Sequence, residues 1–285
     1  MSDHKAFDDT DGFEADYDEN DFEDDFEDDF GEEGATAEGA RELSEVLDAN
    51  VGVDDPAAVE LLKTGKLEVL GRMPWSSNGT YLVTVTIDER RAQGIYKPAA
   101  GERPLWDFPT GLWRREVAAY QLAVELGWDI VPPTVERDGP LGPGSLQFFV
   151  PAKFEEHYFT FRELPGHRRA LEQICVFDLV SNNTDRKGGH ILLGHDDHLW
   201  GIDHGVSFHE EFKLRTVMWD FSGDPIGADL VGDLIEWLER GPSPELSALL
   251  TAAEVESMAD RTRSVISTGR FPSDPTGRRY PWPLV

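Results

Sequence analysis

At 285 residues, 39% of them hydrophobic, the chain can bury one large core or two small lobes, which excludes an array of several full domains. It contains no run of about 18 apolar residues to span a bilayer and no apolar secretory leader, so the expected location is the cytoplasm, or the periphery of a membrane. The net charge of −30 is uneven: residues 1–38 carry 18 acidic groups against Lys5 alone, leaving −13 for the rest, and this acidity argues against nucleic acid as a ligand.

Residues 1–38 centre on DFEDDFEDDFGEEG, in which Phe22, Phe26 and Phe30 recur every four positions. Self-repulsion with so little apolar surface cannot offset the entropy of folding, so the segment is predicted to be a disordered acidic tail. It is either a solvating segment or one that presents its phenylalanines to a basic protein partner. Two short helices follow in ARELSEVLDAN and DPAAVELLKTG, the second with Asp55 as N-cap, Pro56 in the first turn and Gly65 as its stop.

The hydrophobic period then changes. KLEVLGRM, TYLVTVTID and AQGIYKP read as three consecutive antiparallel strands. PWSSNGT joins the first two, either as a tight hairpin loop or as a flap whose backbone and hydroxyls at Ser76, Ser77 and Thr80 cradle a phosphate. In the helix GLWRREVAAYQLAVELG, Trp113, Val117, Tyr120 and Val124 form the apolar stripe, with Arg114, Gln121 and Glu125 opposite. Glu116 flanks that stripe, and a carboxylate there needs a cation, for which Lys97 at the end of the third strand is the candidate. VPPTVERDG and GPGSLQFFVPAKF read as a strand pair that completes a small sheet with one helix against it.

From about residue 155 the pattern is mostly helical: HRRALEQICVFDLVSNN, ADLVGDLIEWLERG and SPELSALLTAAEVESMADRTRSVIS, the last broken near Thr251 by a capping box from Thr251 to Glu254. Cys175 lies in an apolar run and reads as a buried, inert thiol. The chain thus divides into a tail over 1–38, a β-rich part over 39–152 and an α-rich part over 153–285.

Residues 181–205, SNNTDRKGGHILLGHDDHLWGIDHG, concentrate four of the eight histidines and four aspartates. HILL and HLWGID read as a hairpin joined by GHDD, which leaves His195, Asp196 and Asp197 as solvated turn residues. A zinc hydrolase requires ligands converging on one point, and here they are scattered over both ends of the hairpin. Asp185 precedes the hairpin and Asp203 ends it, so folding brings both to one mouth, where paired carboxylates can hold Mg²⁺ and orient a hydroxyl nucleophile.

This order of strand hairpin, strand lysine, helix glutamate, apolar strand, Asp-Arg loop, hairpin and Asp-x-Gly resembles a protein-kinase-like fold. In detail it resembles the phosphatidylinositol 3- and 4-kinase superfamily, most nearly its type II phosphatidylinositol 4-kinase branch, over roughly residues 66–210. Asn183, Thr184, Asp185 and Arg186 match the family's catalytic Asn-Thr-Asp-Arg. Asp203, His204 and Gly205 match its metal-binding triplet, Lys97 and Pro98 its nucleotide-contacting Lys-Pro, and SSNGTYLV its phosphate loop. GSLQFFVP resembles the strand leading into the hinge that meets adenine. The family's second metal ligand is an asparagine five residues after the aspartate; here His190 stands in that place.

The resemblance implies an α+β, bilobal fold, with a β-rich N-lobe and a mainly helical C-lobe. It implies an ATP-dependent kinase using Mg²⁺, or Mn²⁺ given the imidazole. Catalytic roles fall to Asp185, Arg186 and Lys187, with Lys187 equally readable as a surface lysine. Nucleotide contacts fall to Ser76, Ser77, Asn78, Gly79, Thr80, Lys97, Glu116, Phe149 and Val150, and metal contacts to Asp203 and His190. The acceptor is a hydroxyl of a lipid, protein or small metabolite. Adenylyl transfer also fits, and the rival from another class is a catalytically impaired kinase-like binding module acting through the acidic tail.

Overall fold

In a computed structural model, the described residues are 49–74, 76 and 78–285, within one unit that runs Ala37–Val285. The acidic tail, nearly all of the first predicted helix, and Ser77 of the flap lie outside them.

The first described helix, α1 (Ala58–Thr64), is capped differently from the sequence expectation. Ala57, not Asp55, is the N-cap residue, and Asp55 acts from two positions earlier, its Oδ1 accepting the Ala57 N–H at 2.7 Å. Five strands follow: β1 (Lys66–Arg72), β2 (Tyr81–Ile87), β3 (Arg90–Pro98), β4 (Thr134–Gly139) and β5 (Gly142–Phe148). They pair antiparallel throughout in the order β1-β2-β3-β5-β4, so the predicted meander and strand pair merge into one sheet. Alternation dictates its two faces. Val83, Val85, Tyr96 and Leu146 meet Leu61 and Leu62 of α1 in a small core, each buried leucine contributing roughly 1.5–3 kcal/mol. Ile95 and Lys97 point to the other face.

Helix α2 (Leu112–Leu126) lies between that face and the helical half, ended by Gly127 at φ 68°, a left-handed cap that favours glycine. The predicted stripe is corrected here: Val124 is 54% exposed, while Ala118, Ala119, Leu122 and Ala123 are buried in the larger core. Alanines carry little weight in a hydrophobic stripe, yet their small size lets this helix be covered on two sides. The supposed polar side meets protein as well, since Glu125 accepts from Trp237 Nε1 at 2.8 Å and from Ser243 N at 3.2 Å.

The helical half comprises α3 (Tyr158–Phe161), α4 (Arg168–Ser181), α5 (Ala228–Arg240), α6 (Pro244–Leu249) and α7 (Ala252–Thr268), with the hairpin β6 (Ile191–Leu193) and β7 (Leu199–Gly201) inserted after α4. Phe177, Val180, Phe208, Leu230, Trp237 and Met258 centre its core. Cys175 is buried there, and burial pushes its thiol well above the ordinary value. Thr251 and Glu254 form the expected capping box at 3.2 and 2.8 Å, worth about 1 kcal/mol. Glu254 does more than cap, because it also pairs with the buried Arg115 of α2. No helix among the described residues is long and apolar enough to cross a membrane. The chain is thus a mixed α/β protein: an antiparallel sheet with helices, followed by a mainly helical half.

Candidate active site

Between the sheet and the helical half runs a cleft of about 770 Å³, within the range of small-ligand pockets. Lys97 reaches it from β3, because Tyr96 beside it turns to the α1 side. Glu116 reaches it from α2, Asp203 and Gly205 from the end of the hairpin, and Asp185, Gly189 and His190 from the loop before the hairpin.

Lys97 is the junction. Its Nζ pairs with Glu116 Oε1 and lies 2.9 Å from Asp203 Oδ1, so residues 106 positions apart are one ion pair. Burial alone would lower the Lys97 ammonium, but Asp203 and Glu116 together outweigh it and hold it above its usual value. The same ammonium draws the Asp203 carboxyl well below the carboxylate range, against the cost of burial. Glu116 is pushed up by burial, although Lys97 pulls the other way. Its second oxygen, Oε2, accepts the backbone N–H of His204 at 3.0 Å, which ties α2 to the residue after Asp203. Asp203 itself sits at φ 60°, a left-handed conformation that a non-glycine residue holds only when its surroundings fix it.

The loop after α4 divides its side chains between the cleft and the core. Asn182 ends α4 in the left-handed region, and Asn183 Oδ1 accepts the Asp185 N–H at 3.0 Å. Asp185 faces the cleft; burial raises its carboxyl, and Lys187 at 3.2 Å opposes that rise. Arg186 does not join it, which corrects the catalytic role expected from its place beside Asp185. Its guanidinium is fully buried, bonds Asp178 through Nε at 2.8 Å and Nη2 at 2.9 Å, and donates to the carbonyls of His190 and Ile202. It also donates to His204 Nε2 at 2.9 Å. Arg186 is therefore the buried post around which the loop and the hairpin mouth are held.

His190 is oriented by a backbone group. Its Nδ1 is 2.9 Å from the Asp185 carbonyl, an acceptor, so Nδ1 carries the hydrogen and Nε2 presents its lone pair. Burial lowers this imidazole to about 4 despite the nearby Asp203, so it is neutral at pH 7. Nε2 stands 3.4 Å from Asp203 Oδ2, and two electron-pair donors so placed suit a shared cation. Carboxylate plus imidazole is a donor set that fits Mn²⁺ readily and Mg²⁺ less well. Among the described residues no group of three or more His, Cys, Asp and Glu side chains is arranged to hold a metal.

Of the expected flap, Ser76, Asn78, Gly79 and Thr80 line the cleft. They are also tied together: Ser76 Oγ and Thr80 Oγ1 share a hydrogen bond of 2.7 Å, Gly79 N–H donates to Gly101 O, and Asn78 Oδ1 accepts the Arg103 N–H. Phe149 and Val150 line the far end, where the Phe149 N–H is spent on Gln93 O at 3.0 Å. The hairpin turn carries no cluster: Asp197 pairs with Lys153, and His198 Nε2 contacts the Asp129 carbonyl.

Two positions escaped the sequence reading. Asp178 anchors both Arg186 and Asn183, and its signal was available as the sole charge within CVFDLVS. Glu102 binds the N–H groups of Gly111 and Trp113, so it fixes the start of α2 and with it the height of Glu116. It sits in an aperiodic loop, where no sequence pattern marks it.

No protein-family model matches the chain. Among solved structures it is similar to hydra Fam20 with sugar, at 14% identity and a TM-score of 0.48 over 74% of this chain and 87% of that one. It is similar too to the Helicobacter pylori proinflammatory kinase CtkA, at 9% identity and a TM-score of 0.47 over 73% and 94%. Protein Rv2133c of Mycobacterium tuberculosis (strain ATCC 25618 / H37Rv) is 37% identical over 267 residues, covering 81% of this chain and 95% of that protein. The chain belongs to the same family as Protein Rv2133c.

Proposed function

We propose that the chain is an ATP-dependent phosphotransferase of protein-kinase-like, bilobal build, which moves the γ-phosphoryl group to a hydroxyl acceptor. One observation carries this reading: Lys97, paired with Glu116 from α2, reaches across the cleft to within 2.9 Å of Asp203, while Asp185 opens on the same space. One amine and two acids around one cavity is the arrangement that a triphosphate and its cation require.

In this reading Lys97 neutralises the non-transferred phosphates, and Glu116 fixes its direction. Asp203 and His190 would hold the divalent cation, which supplies charge neutralisation at the phosphate oxygens. Asp185 accepts a hydrogen bond from the acceptor hydroxyl and aligns its oxygen with the γ-phosphorus. The new O–P bond forms as the bond to the bridging β–γ oxygen breaks, the hydroxyl proton passes to Asp185 and then to solvent, and ADP leaves. Lys187, 3.2 Å from Asp185, would meet the transferring group in this reading. The base would sit among Ile95, Phe149, Val150 and Leu192. The closer likeness to type II phosphatidylinositol 4-kinases rests on the motifs around Asp185 and Asp203, with lipid or protein as the acceptor.

A second reading, a nucleotide-holding module impaired in transfer, is favoured by the flap, whose Gly79 N–H is already engaged. One experiment separates the two: the protein is incubated with γ-labelled ATP, Mn²⁺ or Mg²⁺ and a cell extract, beside an Asp185→Ala control. Label appearing in an acceptor with the native chain and falling on the order of 10³-fold in the control supports transfer. A melting-point rise with ATP and metal but no label transfer supports the binding module. Neither label nor a rise removes both.

A further inference from the structure

Close to the catalytic loop the chain lays down a piece of itself. After α7 it runs through Asp274, whose Oδ2 accepts the Arg279 N–H at 2.8 Å, and then along the helical half as Arg279-Tyr-Pro-Trp-Pro-Leu-Val. Arg279 O accepts two donors, Thr216 N at 3.1 Å and Trp219 Nε1 at 3.0 Å, and its guanidinium lies 5.0 Å over the Phe212 ring. Five residues on, Leu284 O accepts the N–H of Gly188 at 2.7 Å. Gly188 is the third residue after Asp185, and its neighbour Gly189 lines the cleft together with Asp185 and His190.

The two glycines make room for this approach. A Cβ at Gly188 would stand 3.1 Å from the Phe159 ring and 3.4 Å from Leu284 O, and one at Gly189 would stand 3.7 Å from Val285 Cγ1. Between its anchors the segment is scarcely packed: Pro281 is buried, but Tyr280, Leu284 and Val285 are exposed and Trp282 is 86% exposed. It is held by main-chain hydrogen bonds at two points and shows its side chains to solvent. A sequence-tolerant groove binds an extended peptide in that manner, with backbone bonds for affinity and few side-chain pockets. Residues 281–285 carry no side-chain hydroxyl, so they fill such a seat without offering an acceptor.

We infer that the surface beside Gly188 and Gly189 is the acceptor seat, that it takes an extended polypeptide, and that residues 281–285 occupy it in cis. Resting on the kinase reading above, this names protein as the acceptor class. The incoming peptide displaces Leu284 O from the Gly188 N–H, sets its own carbonyl there, and delivers a serine, threonine or tyrosine hydroxyl to Asp185. The cis segment competes at the high effective concentration of a tethered ligand, so the resting chain is restrained towards foreign acceptors.

The test compares the full chain with a variant lacking residues 281–285, using γ-labelled ATP and Mn²⁺ with dephosphorylated casein or phosphatidylinositol vesicles. Amide exchange at Gly188 is followed in parallel. Removal is expected to raise casein labelling roughly tenfold with the KM for ATP unchanged, as a tethered competitor implies. It should also speed exchange at Gly188. Casein, or a synthetic peptide of residues 279–285, should restore the protection, and the peptide should inhibit competitively against casein. Pro281→Gly, which frees the buried anchor within the full chain, should move both readouts the same way and serves if the shortened chain melts early. Labelling of vesicles but not casein, or a free Gly188 amide that neither polypeptide protects, overturns the inference. Protection by casein with no transfer to any acceptor keeps the peptide seat and removes the kinase reading.

Discussion

The two ends of the β6–β7 hairpin are built from the same residue types and do opposite things. At its turn, His195, Asp196 and Asp197 face solvent, and Asp197 is lowered chiefly by an exposed pairing with Lys153. At its mouth, Asp203 and His204 meet Asp185, Arg186 and His190: Lys97 draws Asp203 down against burial, whereas burial and the nearby cations together lower His190 and His204. The difference is convergence. A carboxylate or imidazole acquires chemistry when other elements bring charges to it and water is kept away, and three separate parts of the chain meet at the mouth.

The mouth depends on a part that never touches the cleft, which gives the largest expected effect. Arg186→Ala leaves Asp178 as an uncompensated buried charge and strips donors from the carbonyls of His190 and Ile202. The expected loss is about 3–5 kcal/mol in denaturant unfolding, the cost of removing one partner of a buried pair. Activity should fall at least in proportion to the folded fraction. A stable Arg186→Ala protein that is selectively dead would return Arg186 to the catalytic group and break the division drawn here.

Asp203→Asn against Asp197→Asn sharpens the comparison directly, since each removes one charge from one end of the same hairpin. The first should lower phosphoryl transfer on the order of 10³-fold, about 4 kcal/mol in the barrier, with the fold retained. The second should leave both transfer and melting unchanged, because neither Asp197 nor its partner Lys153 lines the cleft and an exposed ion pair contributes little to stability. Equal effects from the two, measured as kcat/KM and melting temperature, would mean that position along the hairpin is irrelevant.

The regular elements were legible because period two and the turn formers between strands are local properties, and β1 to β3 fall where alternation puts them. Lys97, Glu116, Asp185 and Asp203 were legible as a set through motif order. What was not legible is which way a residue turns once the loop closes. Arg186 adjoins Asp185 in sequence, but the left-handed Asn182 and the Asp178 carboxylate rotate it into the core. Val124 failed for a related reason: the buried side of the helix that carries it is set by its own Ala118, Ala119 and Ala123, which a hydrophobic stripe passes over. Glu102 and the 279–285 segment act through backbone hydrogen bonds, which leave no trace in composition.

The smallest effect probes the electrostatics of the mouth alone. His190 titrates near 4 in the folded chain, against 6.5 when unfolded, because burial disfavours its cation. A depressed histidine keeps the folded state neutral while the unfolded state takes up a proton, so stability is intact above pH 6.5 and declines as pH falls towards 4. Between pH 7.5 and pH 5 this group alone should cost about 2 kcal/mol. His190→Asn has nothing to titrate there, and its amide oxygen is a harder ligand than imidazole. In chelator-treated samples its unfolding free energy should therefore drop by ~2 kcal/mol less than that of the native chain over that interval, and with ATP its metal preference should move from Mn²⁺ towards Mg²⁺. Parallel pH profiles for the two proteins would show that the Asp185 carbonyl does not hold a neutral imidazole beside Asp203, and the pairing of donors at the mouth would lose its physical basis.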